Sequence, residues 1–406
     1  MKDAAVATAA LDGIRHIQID ESALHKHVIA PEHIKGIVSS RGLHEGALLK
    51  LTFPPAPKYY FDVNGFGNAL HAALKDSVAG YVMRLRQNGS TIYTLEWNWA
   101  KTPADGSEGW KPSVRMHVAS CSKLITAIAM TRLLNEKHIS YDTPIINHLP
   151  HYWTKGANID KITFRHLMTH TSGLNFNDSS SASDYNFMKS KVAAGVTHLG
   201  SYWYQNMNFG LCRILISTIN GNISPNATFA IPFIPNFIDL VWDSVTIQSY
   251  VKYVQDHVFV PSGVSGPTLD HPSPDALAYQ FPVNGNGWNS GDLATMSGGA
   301  GWHISVDELL NIMGAFRRKN TIMSPTQAQT MLDDGFGIDL QLSTPLGKIY
   351  NKNGLWGTGD SHVEQSLAYF LPENMELVVL ANSPIGSPAQ FFRDVVTNIY
   401  VANIKH

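Results

Sequence analysis

Strand-like and helix-like hydrophobic patterns follow one another along this chain in blocks. Residues 78–86 and 91–97 read as two strands, and Asn88-Gly89 between them is a strong hairpin signal. An antiparallel sheet is therefore predicted to begin there, preceded by a short helix near residues 67–75. From Ser120 the period changes: Leu124, Ile125, Ile128, Ala129, Leu133 and Leu134 recur at roughly helical spacing, and Ser120 stands where that helix starts. Helical and loop character then dominates to about residue 320, including 251–258 and 306–317. Strand character returns at 366–371 and 376–381, which flank Pro372-Glu373-Asn374 as a second hairpin. In the closing segment Phe392, Val395, Val396 and Ile399 share one helical face.

The expected fold class is α/β in the broad, α+β sense: an antiparallel sheet flanked by N- and C-terminal helices, with a large, mostly helical insertion. Residues 1–60 read as an irregular N-terminal extension ending in Phe53-Pro54-Pro55-Ala56-Pro57. Residues 61–119 and 325–406 form the expected sheet region, and 120–324 the mostly helical one. An apolar insertion at 223–242 carries Phe229, Ile231, Phe233, Ile234, Phe237 and Trp242, but Pro225, Pro232 and Pro235 interrupt it, so no membrane span is expected. It reads as packing against the body or a subunit interface of a homo-oligomer, or as a lid or acyl-binding wall.

Composition narrows the function. The 406 residues are 44% hydrophobic and 15% charged, a well-packed globular balance. A formal net charge of -2, with no Lys/Arg cluster interleaved with aromatics, gives no expectation of a nucleic-acid partner. Cys121 and Cys212 are too few for a disulfide framework and read as buried thiols. The stretch 1–13 is alanine-rich but holds Asp3 and no leucine-rich run, unlike a secretory signal. A cytoplasmic location is therefore favoured, a secreted one remaining open if a leader has been removed.

Ser120-Cys121-Ser122-Lys123 is a Ser-x-x-Lys element. On a helix, positions three apart share a face, so the amine can reach the hydroxyl. A serine hydroxyl needs a base before it attacks, and a lysine serves only when burial or nearby positive charge lowers its pKa. A second match, Ser249-Tyr250-Val251-Lys252, reads as a solvated helix face. What distinguishes Ser120 is the order that follows: Tyr204-Gln205-Asn206, then Lys352-Asn353-Gly354 just before a predicted edge of the closing sheet. A phenol can relay the serine proton and protonate a leaving group. An asparagine amide both donates and accepts. A second lysine would favour the ionised phenol and attract a substrate carboxylate, and the glycine would let substrate backbone approach the strand.

The order Ser-x-x-Lys, Tyr-x-Asn, Lys-x-Gly resembles the class C β-lactamases, the related D-alanyl-D-alanine peptidases, and the esterases and transacylases of that fold. Ile162-Thr163-Phe164-Arg165-His166-Leu167-Met168-Thr169-His170-Thr171-Ser172-Gly173-Leu174 looks like the family's scaffold segment, with Tyr141-Asp142-Thr143-Pro144 before it and Gly298-Gly299-Ala300-Gly301-Trp302 after it. The resemblance covers roughly residues 66–403. It implies a β-lactamase/transpeptidase-like fold, acylation of Ser120, and a base role shared by Lys123 and Tyr204. It further implies that Asn206 contacts the substrate amide, that Lys352 positions substrate and tyrosine, and that the N–H groups of Ser120 and Leu355 form the oxyanion hole. Asn353 stands where the family usually has threonine, which alters the side chain that helps bind a substrate carboxylate. Asn206 is often absent from the esterase branch and fits amide-like ligands.

Other chemistry is set aside on pattern. His166 and His170 have i, i+4 spacing but no Glu after the first, and both fall in the scaffold segment, so no metal is expected. His362 reads as a loop histidine because no Gly-x-Ser-x-Gly element accompanies it. Tyr202 and Trp203 compete with Tyr204 as core aromatics, and Asp292 and Glu308 make no paired-carboxylate site. The expectation is a serine acyl-enzyme hydrolase of a small amide or ester, needing no cofactor. The alternatives are a carboxylesterase or transacylase of the same fold, or a catalytically silent ligand-binding member.

Overall fold

The computed structural model describes residues 59–229, 236–270, 275–358, 361–385 and 391–406. Nearly all of the expected N-terminal extension, and residues 230–235 of the apolar insertion, lie outside the described residues.

The chain enters through β1 (Tyr60–Phe61) and α1 (Val63–Leu74), whose first turn is capped by Asp62 accepting from the Gly65 N–H. Strands β2 (Gly80–Gln87) and β3 (Ser90–Lys101) follow, joined at Asn88 and Gly89 with φ of 52° and 87°. Those paired positive values are what a tight hairpin turn demands, and Asn-Gly supplies them at low cost. After β4 (Glu108–Gly109) and β5 (Arg115–His117) comes the long helix α2 (Ser122–Glu136). Helices α3 (Phe164–Met168), α4 (Tyr185–Ala194), α5 (Asn206–Ile219) and α6 (Phe237–Val254) follow. Strand β6 (His303–Ser305), α7 (Val306–Arg317) and α8 (Pro325–Asp333) lead into β7 (Leu340–Thr344), β8 (Gly347–Thr358), β9 (His362–Leu371) and β10 (Met375–Ala381). The chain closes with α9 (Phe391–Ala402) and β11 (Ile404–Lys405), which pairs with β1.

The main sheet is seven-stranded and antiparallel throughout, in the order β4-β3-β2-β10-β9-β8-β7. Successive side chains alternate faces, and both faces here are apolar. Tyr81, Met83, Leu85, Leu377, Val379 and Tyr369 point toward α1 and α9. Val82, Val378, Leu380, Ala368 and Phe370 point the other way, into the core shared with α2, α5 and α6. Each large side chain so covered contributes about 1.5–3 kcal/mol. Helix α2 is buried on nearly every side, so its apolar residues need no single stripe. The fold is the expected mixture of one large antiparallel sheet and helices.

One feature departs from the sequence reading. Lys352-Asn353-Gly354 lies within β8 rather than ahead of a strand, one strand in from the edge strand β7. The β7–β8 hairpin escapes pattern reading because Lys348, Asn351, Lys352 and Asn353 interrupt its apolar alternation. In the described part of the 223–242 insertion, Trp242 is fully buried and donates from Nε1 to the Ala227 carbonyl at 3.2 Å. That end of the insertion is body packing; among the described residues none of 223–242 lines the cavity described next.

Candidate active site

Ser120 sits in a single 3₁₀ turn, Ala119–Cys121, between β5 and α2. The turn is pinned on three sides. Val118 N–H donates to the Trp302 carbonyl (2.9 Å), Ser366 Oγ donates to the Val118 carbonyl (2.6 Å), and Cys121 N–H closes back on Val118 (3.0 Å). Ala119 is held at φ 47°, a left-handed value that costs a non-glycine residue of order 1–3 kcal/mol and persists only where its surroundings enforce it.

The helical i, i+3 relation expected of Ser120 and Lys123 is realised: Lys123 Nζ lies 2.9 Å from Ser120 Oγ. The amine also donates to Asn206 Oδ1 (2.6 Å) and to the Gly299 carbonyl (2.7 Å). It is fully buried. Burial, reinforced by the positive charge of Lys352, holds its pKa well below the ordinary lysine value. Tyr204 Oη donates to Ser120 Oγ at 2.6 Å from just ahead of α5. Burial pushes the phenol up to about 12; Lys352 pulls it down, and Asp339 opposes that pull. The ionised phenol foreseen from Lys352 alone is therefore not favoured at neutral pH. The tyrosine ring is sandwiched by charge and aromatics, with Lys123 and Lys352 Nζ at 4.9 and 5.2 Å from its centroid and the His170 ring at 4.3 Å.

Lys352 is buried and ion-paired to Asp339, Nζ to Oδ1 at 2.7 Å. Burial works against its charge, yet Asp339 and Tyr204 raise its pKa above the usual lysine value. The other Asp339 oxygen accepts the Asn353 N–H at 3.1 Å. Asn206 is engaged at both ends of its amide, since Nδ2 donates to the Ser181 carbonyl (2.7 Å) while Oδ1 receives Lys123. Asn353 Oδ1 is buried without a hydrogen-bond partner. Gly354 corrects an expectation. A Cβ there would lie 2.6 Å from the Val118 carbonyl and 2.8 Å from the Ser120 nitrogen. The glycine thus makes room for the protein's own Ser120 turn.

A cavity of about 460 Å³ opens over this cluster, walled by Ser120, Tyr204, Asn206, Asn353, Leu355 and Trp356, with Tyr202, Trp203, Asp178, Asp339 and Arg393 around them. So the structure brings Ser120, Lys123, Tyr204, Lys352, Asn206, Asn353, Gly354 and Leu355 to one place. Lys123, Lys352 and Gly354 stand behind the wall, and the others on it. Three contributors escaped the sequence reading. Asp339 carries no motif, but the β7–β8 register pairs Leu340 with Asn351, which sets residue 339 across from 352. Gly299 acts through its carbonyl, which no side-chain pattern reveals. His170 packs under Tyr204, accepting from the Gln205 N–H at Nδ1 (3.3 Å).

The remaining candidates are elsewhere. His166 caps α3 through Thr163, so it does not join His170 in a ligand pair. Among the described residues no group of three His, Cys, Asp or Glu side chains could hold a metal ion. Lys252 of the second Ser-x-x-Lys match pairs with Asp256 at the surface. His362 bonds to Ser361 at the start of β9. Both cysteines are free and buried. No helix among the described residues is long and apolar enough to cross a membrane.

Comparison with known proteins shows what this chain is similar to. Residues 67–222 match the Beta-lactamase family model. A penicillin-binding protein, PbpX of Bacillus subtilis (strain 168), is 22% identical over 157 residues, covering 38% of this chain and 32% of that one. The acyltransferase calJ of Penicillium decumbens is 30% identical over 128 residues, 28% of this chain and 29% of that one. The chain thus matches about a third of the length of these curated relatives. The octameric penicillin-binding protein homologue from Pyrococcus abyssi superposes with a TM-score of 0.62 at 15% identity, over 84% of this chain and 78% of the other. Solved neighbours also include class C β-lactamases and β-lactamase/D-alanine carboxypeptidases. The fold is that of the β-lactamases and transpeptidases.

Proposed function

We propose that this chain, whose family match and fold are those of the serine β-lactamase-related hydrolases, cleaves an amide or ester bond through an acyl-enzyme on Ser120. The observation that carries the reading is the contact of one hydroxyl with a buried amine at 2.9 Å and a buried phenol at 2.6 Å. Lys123 has three partners, which suit either an ammonium or a neutral amine; burial and Lys352 favour the neutral form. A neutral amine spends its two N–H groups on Asn206 and Gly299 and keeps its lone pair for the serine proton. Lys123 is then the base, Asn206 its positioning partner, and Tyr204 a protonated phenol that serves as acid.

In the first step Ser120 Oγ bonds to the carbonyl carbon while its proton passes to Lys123. The C–N or C–O bond then breaks, the leaving atom takes a proton from Tyr204, and the Lys123 ammonium restores it. Water attacks the acyl-enzyme, releasing the acid and regenerating the serine hydroxyl. The backbone N–H groups of Ser120 and Leu355 are the proposed oxyanion donors. The groove between the sheet region and the helical region is the proposed place of catalysis.

Intact-mass detection of a phosphonate adduct that disappears in Ser120→Ala tests the nucleophile; an adduct persisting in that variant overturns it. A chromogenic cephalosporin assayed beside short-chain p-nitrophenyl esters separates amide from ester preference. Transfer to an acceptor other than water is a second reading, favoured by the likeness to the acyltransferase calJ. Self-association, a property named for the Pyrococcus abyssi homologue, is read by light scattering.

A further inference from the structure

A site that holds a carboxylate by charge needs a cation left free for it, because an unpaired buried anion is costly. Among the described residues, Lys352, Arg393 and Asp178, on and behind the cavity wall, each have an ion-pair partner. Lys352 Nζ is 2.7 Å from Asp339, Arg393 is 2.8 Å from Asp394, and Asp178 is 3.4 Å from Lys191. Lys123 lies behind the wall, with its amine already directed at Ser120, Asn206 and the Gly299 carbonyl.

The Lys352–Asp339 pair decides the matter. Lys352 is 1% exposed, while Asp339 lines the cavity. A carboxylate approaching that lysine therefore meets Asp339 first. Nor is Asp339 loosely placed: it stands immediately before β7, its own N–H donates to the Asn351 carbonyl (2.8 Å), and its second oxygen holds the Asn353 N–H. The rest of the wall near Ser120 is aromatic or neutral: Tyr202, Trp203, Leu355 and Trp356.

We propose that the acyl donor of this site is an ester or amide bearing no carboxylate beside the scissile bond, and that Asp339 is the residue that sets this preference. The inference rests on the acyl-enzyme reading above and narrows its substrate class. Asp339 touches no reacting atom; it acts through Lys352 and through the like charge it shows to the cavity.

The test compares two donors that differ in one charge, 3-carboxyphenyl phenylacetate and the methyl ester of the same compound. The wild type is expected to favour the neutral donor in kcat/KM by about tenfold or more, the size of one charge interaction worth a pKa unit. Asp339→Asn leaves Lys352 unpaired, and its ratio is expected to move toward the carboxylate donor by a similar factor. Turnover by the wild type that favours the carboxylate overturns the inference alone. An unchanged ratio in folded D339N removes Asp339 as its cause. Failure of both donors to acylate Ser120 overturns the hydrolase reading and this inference together. Should D339N not fold, inhibition of the wild type by 3-hydroxybenzoate against its methyl ester reads the same discrimination, with equal or tighter binding of the anion as the overturning result.

Discussion

Gly354→Ala isolates the contact that holds Ser120, the proposed nucleophile, in place. Gly354 sits on β8 opposite Ser366 of β9, with its α-carbon facing the turn that carries Ser120. A methyl group there would lie 2.5 Å from Ser366 Oγ, 2.6 Å from the Val118 carbonyl and 2.8 Å from the Ser120 nitrogen. Ordinary contact begins near 3.4 Å, so against the Val118 carbonyl the shortfall is 3.4 − 2.6, about 0.8 Å. Ser366 can rotate away, at the expense of its hydrogen bond to Val118, but the two backbone atoms cannot. Either the turn or the strand must therefore move by most of an ångström. Overpacking of this kind costs about 1–3 kcal/mol. A displacement of about 1 Å in a catalytic group can lower a rate by roughly a hundredfold. Phosphonate acylation followed by intact mass, with urea unfolding alongside, reads both effects. Ser366→Ala is the control, because it removes the hydrogen bond without adding bulk. A Gly354→Ala protein of wild-type stability that acylates at the wild-type rate would refute the reasoning, and with it the view that the strand fixes the nucleophile turn.

The other expectations concern the acid–base groups and one buried ion pair. Lys352→Met takes away a positive charge that disfavours protonated Lys123, so the acid limb of kcat/KM set by the proposed base should shift to higher pH; a shift to lower pH contradicts the assigned coupling. Tyr204→Phe keeps the ring against His170 but removes the phenol, and steady-state kinetics should show a loss of roughly 10²–10⁴ in kcat with little change in thermal stability. Arg213→Met strands Asp243, which the buried guanidinium holds at 2.8 Å, and should cost about 1–3 kcal/mol in chemical unfolding, since Asp243 keeps some access to water.

Much of this molecule was legible in the sequence, for local reasons. Asn88-Gly89 announces a hairpin because few other dipeptides hold two successive positive φ values cheaply, and the turn forms there. The apolar recurrence after Ser120 places serine and lysine one helical turn apart, and a three-residue spacing brings them together whatever the rest of the chain does. The closing helix shows its buried face in Phe392, Val395, Val396 and Ile399. What tertiary structure alone decided is the electrostatic state of those groups. Lys123 is an ordinary lysine by sequence; only burial among α2, α5 and the Gly299 carbonyl, with a second lysine behind Tyr204, lowers its proton affinity. Asp339 is silent by sequence because its partner stands thirteen residues away across a hairpin whose polar residues mask its strands. Gly354 shows the same division. Its identity is local, but whether it makes room for a ligand or for the chain's own backbone depends on which segment the fold lays against it. Spacing along a chain fixes who can be neighbours on one element, whereas charge, solvation and clearance depend on elements that meet only after folding.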